Sequence, residues 1–161
     1  MTAMKKMMLA LLLGALGAGV AQADRGEGRL LQATLPTAPG YDTWQRECGS
    51  CHVAYPPILL PASSWRAMMG GLKSHFGTDA SLTAEEQEAI TALLAGHAGS
   101  PKVDPAEPLR ITRSPWFLRE HREVRPLAWK RPAVKSPANC QACHGQAEKG
   151  DYSERHIRIP R

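Results

Sequence analysis

The chain has 161 residues, a length that allows one or two small domains. Its 20 Lys and Arg exceed its 15 Asp and Glu. The charges are mixed, however, and no basic stripe carries interleaved aromatic residues, so the excess does not indicate nucleic-acid binding. Pro and Gly are frequent, with 13 and 14 residues, while aromatic residues make up 6%. A core built from protein alone would be thin, and a large buried apolar group would complete it.

The N-terminus has the pattern of a secretory signal peptide. Lys5 and Lys6 precede an apolar run over residues 7–20, and Ala21-Gln22-Ala23 then forms a small-x-small cleavage site. The run is shorter than the roughly 20 residues that a membrane-spanning helix needs, which disfavours a membrane anchor. We therefore expect removal of residues 1–23, export to the periplasm, and no membrane span in the mature chain.

Two capping patterns mark helix starts in the first half of the mature chain. Residues 24–40 are punctuated by Gly and Pro and predict an extended arm. Asp42, with Gln45 three residues later, predicts a short helix that starts directly after Asp42. Thr83, with Glu86 three residues later, predicts another helix that ends around residues 96–99. The buried face of this helix is expected to consist of Ile90, Leu93 and Leu94.

Between these helices the sequence predicts a further helix with one apolar stripe. Pro residues at 56, 57 and 61 enforce a loop, and Ser63 or Ser64 can start the helix. Gly77 fits a C-terminal stop. Apolar and aromatic side chains recur at steps of three and four residues, at Trp65, Met68, Met69, Leu72, His75 and Phe76.

The remaining chain is weakly periodic. Residues 100–139 are rich in Pro, but Ser114-Pro115 can open one short helical turn, since Pro is favoured at the first helical position. Ser136-Pro137 can open another turn. The polar tail alternates at Ile157 and Ile159, which allows a short strand, and no longer β-sheet signal is present.

All four cysteines lie in two motifs of the same form, Cys48-Gly49-Ser50-Cys51-His52 and Cys140-Gln141-Ala142-Cys143-His144. The pattern C-x-x-C-H is the attachment signature of c-type haem, in which two thiols form thioether bonds to the vinyl groups and the adjacent His binds the iron. A zinc site can use two C-x-x-C pairs but does not require His directly after each. A thioredoxin-like redox pair would need a βαβ setting, which the sequence lacks. The motifs therefore predict two covalently attached haems c, with iron bound by His52 and His144.

These elements predict a mainly α-helical protein in two haem-binding parts. Residues 24–99 are expected to form a small helical domain around haem 1. Residues 100–161 are expected to form an irregular domain with little regular secondary structure, organised by haem 2.

The sixth ligand of haem 1 is expected to be His75. It lies on the predicted apolar stripe, one loop after the first haem motif. Met68 and Met69 share the stripe and are the competitors, although adjacent Met residues beside apolar neighbours are more often core fillers. A second His gives the iron a lower reduction potential than Met would.

The sixth ligand of haem 2 is expected to be His121. Glu120 and Glu123 lie close to it in sequence, and a carboxylate that accepts from Nδ1 would orient the ring. His156 is the alternative, although its charged tail favours exposure. His97 lies near a helix end, where a cation interacts well with the helix dipole, so this position does not favour iron ligation by His97. The pattern leaves crossed ligation open, with His121 at the first haem.

In several blocks in the same order, the mature chain resembles the dihaem cytochrome c family. The blocks comprise residues 47–52, 55–57, 60–62, 64–65, 69, 71–72, 75–77, 80–82, 115–117, 121–123, 129, 131–134, 136–140, 142–144 and 158–161. The resemblance implies a class-I-like N-terminal domain and bis-histidine ligation at both irons, with His75 and His121 as distal ligands. It also implies electron transfer from a membrane b-type cytochrome to a small soluble c-type haem protein.

Two six-coordinate irons would leave no place for a substrate, so the sequence predicts an electron carrier and not an enzyme. The alternative functions are a dihaem peroxidase or a ligand sensor, each of which needs an open iron position. A third alternative is an interaction module whose fold is stabilised by bound metal and which has no redox role.

Overall fold

The computed structural model describes residues 35–161. The predicted signal peptide over residues 1–23 lies outside these residues, as does most of the predicted N-terminal arm. Helices and short 3-10 turns make up the regular structure, and residues 35–161 contain isolated β-bridges but no strand. The predicted mainly α-helical class is confirmed. Within the described part of the chain, no helix is long and apolar enough to cross a membrane.

Helix α1 spans Tyr41–Cys48 and carries the first cysteine on its last residue. The predicted short helix before the first haem motif is confirmed, but the predicted Asp42 cap is wrong. Gly40 precedes the helix with a φ of 83°, and no side chain caps the helix. A β-carbon at Gly40 would also lie 2.7 Å from the carbonyl oxygen of Ala89. The tight approach to Ala89, together with a left-handed turn that suits Gly, thus fixes this helix start.

Helix α2 spans Ala62–Gly70 and is shorter than predicted. A 3-10 turn follows over Leu72–Ser74, and His75 has extended backbone angles. The predicted continuation of one helix to Gly77 is therefore wrong, because two consecutive glycines, Gly70 and Gly71, weaken the helix at this point. The break places His75 in the loop after the 3-10 turn.

Helix α3 spans Ala84–Gly96 and confirms the predicted capping box, in which Thr83 and Glu86 bond reciprocally. Its predicted inner face is buried. Helix α3 packs against both α1 and α2, and Gln87 Nε2 donates to the Met69 carbonyl of α2 at 2.9 Å. The buried members of this first core are Leu35, Trp44, Ala54, Leu60, Trp65, Met68, Met69, Ile90, Leu93 and Leu94.

Helix α4 spans Pro115–Glu120 and begins as predicted, with the Ser114 hydroxyl accepting from the Phe117 amide. The rest of the second part consists of loops and 3-10 turns, over Ile111–Arg113, Pro126–Lys130, Cys140–Ala142, Ala147–Lys149 and Glu154–His156. Its buried apolar side chains are few, namely Phe117, Ala128, Val134 and Ala147. The first core also receives Val103, Leu109 and Ile111, so chain beyond residue 99 packs on it. The division of the chain at residues 99 and 100 stays a prediction.

We expect Gly99→Ala to lower the free energy of unfolding by about 1–3 kcal/mol, the usual cost of overpacking. A β-carbon at Gly99 would lie 2.2 Å from the carbonyl oxygen of Ile58, where a parallel bridge joins Pro61 and Gly99. Gly96→Ala is the matched control, since a β-carbon there would meet nothing within 4 Å. Denaturant unfolding measures both variants, and equal stability of the two would contradict this close approach.

Candidate haem-binding sites

The first motif places His52 opposite His75. The imidazole centroids are 6.3 Å apart, and the ring planes are inclined by 27°. His52 Nδ1 lies 2.8 Å from the Val53 carbonyl oxygen, to which it can donate its proton. This hydrogen bond leaves Nε2 as the unprotonated nitrogen, which is the form that binds a metal.

His75 reaches this position from the loop after α2. Its Nδ1 is buried and has no hydrogen-bond partner among the described residues. Burial, and to a smaller extent the nearby His52, lower the pKa of His75. A neutral ring is the form that can act as a ligand. Met68 and Met69, the competing candidates, are buried in the first core.

The second motif places His144 opposite His121, which is the residue directly after α4. Their centroids are 6.1 Å apart, and the ring planes are inclined by 72°. His121 Nδ1 lies 2.9 Å from the Phe117 carbonyl oxygen, one helical turn back. The expected carboxylate partner for Nδ1 is therefore wrong, because Glu120 pairs with Arg119 instead. A backbone carbonyl performs the orienting role that we assigned to the carboxylate.

His144 has the same environment as His75. Its Nδ1 is buried and forms no hydrogen bond of normal geometry, although the Tyr152 backbone lies close enough to favour the protonated ring. Burial is the larger effect, followed by the nearby His121, and together they lower the pKa of His144. Each site thus pairs one imidazole whose Nδ1 is hydrogen-bonded with one whose buried Nδ1 lacks a partner.

None of the four cysteines forms a disulfide. Burial raises the pKa of both Cys48 and Cys140 to about 11, so these thiols lie in surroundings that suit an uncharged sulfur. A thioether is such a group. Within residues 35–161, no three His, Cys, Asp or Glu side chains converge to hold a metal ion.

The C-terminal tail holds the second motif in place. The Arg158 amide donates to the Cys143 carbonyl at 2.9 Å, and an antiparallel bridge joins Ile157 to His144. Arg131 in turn donates to the Pro160 carbonyl. The tail therefore pairs with the motif through a single bridge and not through a longer strand.

Aromatic side chains that the sequence analysis did not assign to the sites flank the histidines. Tyr55 stacks on His52 with centroids 4.6 Å apart, and Tyr152 lies against His144 at 5.3 Å. Trp129 lies 5.8 Å from His121. A signal for Tyr55 was available, since it follows the first motif by three residues. Nothing local marks Tyr152 or Trp129, whose contacts depend on the tertiary fold.

Tyr55 also connects the two sites. Its hydroxyl donates to the Ala138 carbonyl at 2.6 Å, across 83 residues of sequence. Ala138 lies two residues before Cys140, so this hydrogen bond joins the first His pair to the start of the second motif. Burial, with a contribution from Cys140, raises the pKa of Tyr55 well above its usual range and keeps the hydroxyl protonated as a donor.

Tyr55→Phe is expected to lower the free energy of unfolding by about 1 kcal/mol, because the ring stack remains but the hydrogen bond is lost. Tyr41→Phe is the matched control, since the Tyr41 hydroxyl has only a long contact of 3.4 Å with Gln45. Thermal unfolding of both variants measures the difference. If the Tyr55→Phe protein were as stable as the control, the hydrogen bond from Tyr55 to Ala138 would make no contribution to the stability of the fold.

The other two histidines lie apart from these pairs. His97 is the C-cap residue of α3, where its backbone amide donates to the Leu93 carbonyl. His156 Nδ1 lies 2.7 Å from an Asp151 carboxylate oxygen, so its ring is held in an ion-pair geometry and is not simply exposed. Hydrogen bonds from Ser153, with a smaller contribution from His156, lower the pKa of Asp151 to about 2.

Comparison with known proteins gives one consistent match. The sequence profile described as dihaem cytochrome c matches residues 44–152. The X-ray structure of a diheme cytochrome type c from Shewanella baltica is 40% identical, with a TM-score of 0.67, over 76% of this chain and 94% of that chain. A diheme cytochrome c from Rhodobacter sphaeroides is 40% identical, with a TM-score of 0.62, over 69% of this chain and 95% of that one. A search of curated proteins found no match.

Proposed function

Because the protein belongs to the dihaem cytochrome c family, whose members carry two covalently bound haems c and transfer electrons, we propose that it is a periplasmic electron carrier with two bis-histidine irons. Cys48 and Cys51 attach haem 1, and Cys140 and Cys143 attach haem 2. The iron ligands are His52 with His75 at haem 1 and His144 with His121 at haem 2.

The separation of the paired rings is the observation that carries this ligand set. Metal–nitrogen bonds to imidazole are about 2.0–2.1 Å, and the centroid lies roughly 1.2 Å beyond each nitrogen, so two rings on opposite sides of one ion have centroids about 6.4 Å apart. The two pairs have separations of 6.3 and 6.1 Å. The residues therefore fit a metal-centred group between the rings, in uncrossed pairs.

The side chains around each pair fit the needs of a ligand. Backbone carbonyls orient His52 and His121 through Nδ1, and burial keeps His75 and His144 neutral. Stacked aromatic rings restrict the rotation of His52 and His121. When bound, each haem supplies one reversible electron, and the protein sets its potential through these ligands.

Export and the partners are part of the proposal. The periplasmic location rests on the leader pattern of residues 1–23, in agreement with the usual export of cytochromes c. The donor, a membrane b-type cytochrome, and the acceptor, a small soluble c-type haem protein, follow from the resemblance of the sequence blocks. Two six-coordinate irons support a carrier over a peroxidase or sensor, since neither iron would have an open position.

The absorption spectrum of the purified holoprotein tests this function. We expect a low-spin spectrum in both oxidation states and no change when carbon monoxide is added to the reduced protein. A high-spin band in the oxidised protein, or a carbon monoxide adduct in the reduced protein, would indicate an open iron and favour catalysis or sensing. Absence of haem absorption would exclude all of these functions.

A further inference from the structure

The two parts of the chain carry opposite charge. Residues 35–99 contain three Lys and Arg against six Asp and Glu, a formal charge of −3. Residues 100–161 contain thirteen Lys and Arg against seven Asp and Glu, a formal charge of +6. The propionates of one haem offset only part of this positive excess. Positive charge is therefore concentrated in the part that carries the second haem motif.

Several exposed basic side chains of this part have no ion-pair partner among residues 35–161, and three of them, Arg125, Lys130 and Lys135, lie within eleven residues of sequence. Arginines that precede them in the sequence do have ion-pair partners. Arg110 and Arg113 both pair with Glu107, and Arg119 pairs with Glu120. Arg131, between the three, is partly buried and holds the C-terminal tail.

An exposed apolar residue, Leu127, lies between Arg125 and Lys130 in the sequence and is 74% exposed. We call Arg125, Leu127, Lys130 and Lys135 the basic patch. The backbone here is fixed by short hydrogen bonds, from the Ala128 amide to the Arg125 carbonyl at 2.8 Å and from the Lys135 amide to the Arg131 carbonyl at 2.8 Å. An exposed apolar residue that lies among unpaired basic residues is typical of a small, transient protein interface.

The basic patch lies beside the second candidate haem site. Trp129, within the same 3-10 turn as Leu127 and Lys130, contacts His121 with centroids 5.8 Å apart. Trp129 also lies 6.2 Å from Phe117, on which His121 stacks. The turn that carries Leu127 and Lys130 therefore also carries a side chain in contact with a proposed ligand of the second iron.

We propose that the basic patch is the docking surface for an acidic redox protein that exchanges electrons with the second haem. This inference rests on the proposed function as an electron carrier. An anionic lipid surface is the weaker occupant, because the patch offers one apolar side chain and no amphipathic helix to insert. The opposite charges of the two parts fit a protein partner. They would steer the acidic face of that partner toward the second haem and away from residues 35–99, which are themselves acidic.

One probe protein in two charge states tests the docking surface. Mitochondrial cytochrome c is cationic, and succinylation converts its lysines to carboxylates. We expect the reduced holoprotein to reduce the succinylated form faster than the native form at low ionic strength in stopped-flow experiments. The rate with the succinylated form should fall as salt is added. Electrostatic steering contributes on the order of 10- to 1,000-fold to association rates.

Charge-reversal variants test whether the faster reaction with the succinylated form depends on the basic patch. Lys130→Glu, and more strongly Arg125→Glu combined with Lys130→Glu, should slow the reaction with the succinylated form by roughly tenfold or more at low salt. Arg66→Glu is the matched control, since Arg66 is exposed on α2 in the acidic part. It reverses the same charge as Lys130→Glu and should leave the rate within about twofold, because screening weakens distant charges.

The possible failures can be told apart. A holoprotein that reduces neither form of cytochrome c would overturn the electron-carrier function itself. Equal rates with both forms, or equal slowing by Arg66→Glu and Lys130→Glu, would overturn the docking surface alone. Lys130→Glu that weakens binding to phosphatidylglycerol vesicles but leaves the rate unchanged would assign the patch to a membrane and also overturn the proposal.

Discussion

Replacement of both Cys140 and Cys143 by Ser is expected to give a protein that carries one haem instead of two and that loses the fold of its second part. Residues 100–161 contain one helix of six residues and few buried apolar side chains. A core of this size cannot offset the conformational entropy that ordering about sixty residues costs. Intact-mass spectrometry should show the loss of one haem. Amide hydrogen exchange should show loss of protection after residue 111, because the chain up to Ile111 packs on the first core.

The corresponding replacement of Cys48 and Cys51 by Ser is the control for this experiment. It should also remove one haem, but α1, α2 and α3 share a core of ten buried residues, so part of the helical circular dichroism should remain. If the Cys140 and Cys143 variant kept the exchange protection of the wild-type protein, the second part would fold without its haem and our account of this part would be wrong.

Separate replacement of His75 and of His121 by Met is expected to raise the reduction potential of one haem and leave the other unchanged. Methionine raises the potential relative to a second histidine, and a shift on the order of 100 mV lies within the roughly 0.8 V that axial ligands span. Because the pairs are uncrossed, His75→Met should affect the haem attached at Cys48 and Cys51. Spectroelectrochemical titration measures both potentials in one experiment.

Two further histidines serve as controls for the titration. His97→Met should change neither potential, since His97 caps α3. His156→Met should also leave two bis-histidine signals, because His156 is held by Asp151. If His156→Met lost a bis-histidine signal and His121→Met did not, His156 and not His121 would be the second histidine ligand of haem 2.

The features that could be predicted from the sequence are local ones. The capping box of Thr83 and Glu86, the Ser114 cap and the two haem motifs each depend on residues within four positions of one another. Their physical basis is a short-range hydrogen bond or a fixed covalent spacing, so no knowledge of the tertiary fold was needed.

One of the wrong predictions depended on a contact across the fold, and another ignored a local signal in favour of the periodicity. Asp42 forms no cap because Gly40 turns the chain closely past Ala89. The periodic stripe extends to His75, but the Gly70-Gly71 pair ends α2, and His75 reaches His52 from a loop. Periodicity could therefore identify His75 as a buried residue but could not give its backbone conformation.

The second site was the harder of the two to predict. Nearby carboxylates led us to expect a charged partner for His121, but helix α4 places the Phe117 carbonyl one turn below its ring. Tyr55 and Tyr152 flank proximal histidines from different parts of the chain. Tyr55 could have been found from its position three residues after the first motif, but no local signal marks Tyr152, whose contact arises only when the tail packs against the second motif.

The orientations of the paired rings distinguish the two proposed irons. The π orbitals of an imidazole ligand overlap with the iron d orbital whose lobes lie in the plane perpendicular to the ring. At an angle of 27°, both rings would act mainly on the same orbital of a bound iron and would separate its two d orbitals in energy. At 72°, each ring would act on a different orbital, and the two would stay close in energy.

Low-temperature electron paramagnetic resonance of the ferric holoprotein therefore tests the two bis-histidine irons most directly. We predict two low-spin centres of equal intensity in each chain, a rhombic signal from the His52–His75 iron and a strongly axial signal with a large maximal g value from the His121–His144 iron. A high-spin signal, or fewer than two low-spin centres in each chain, would contradict the account.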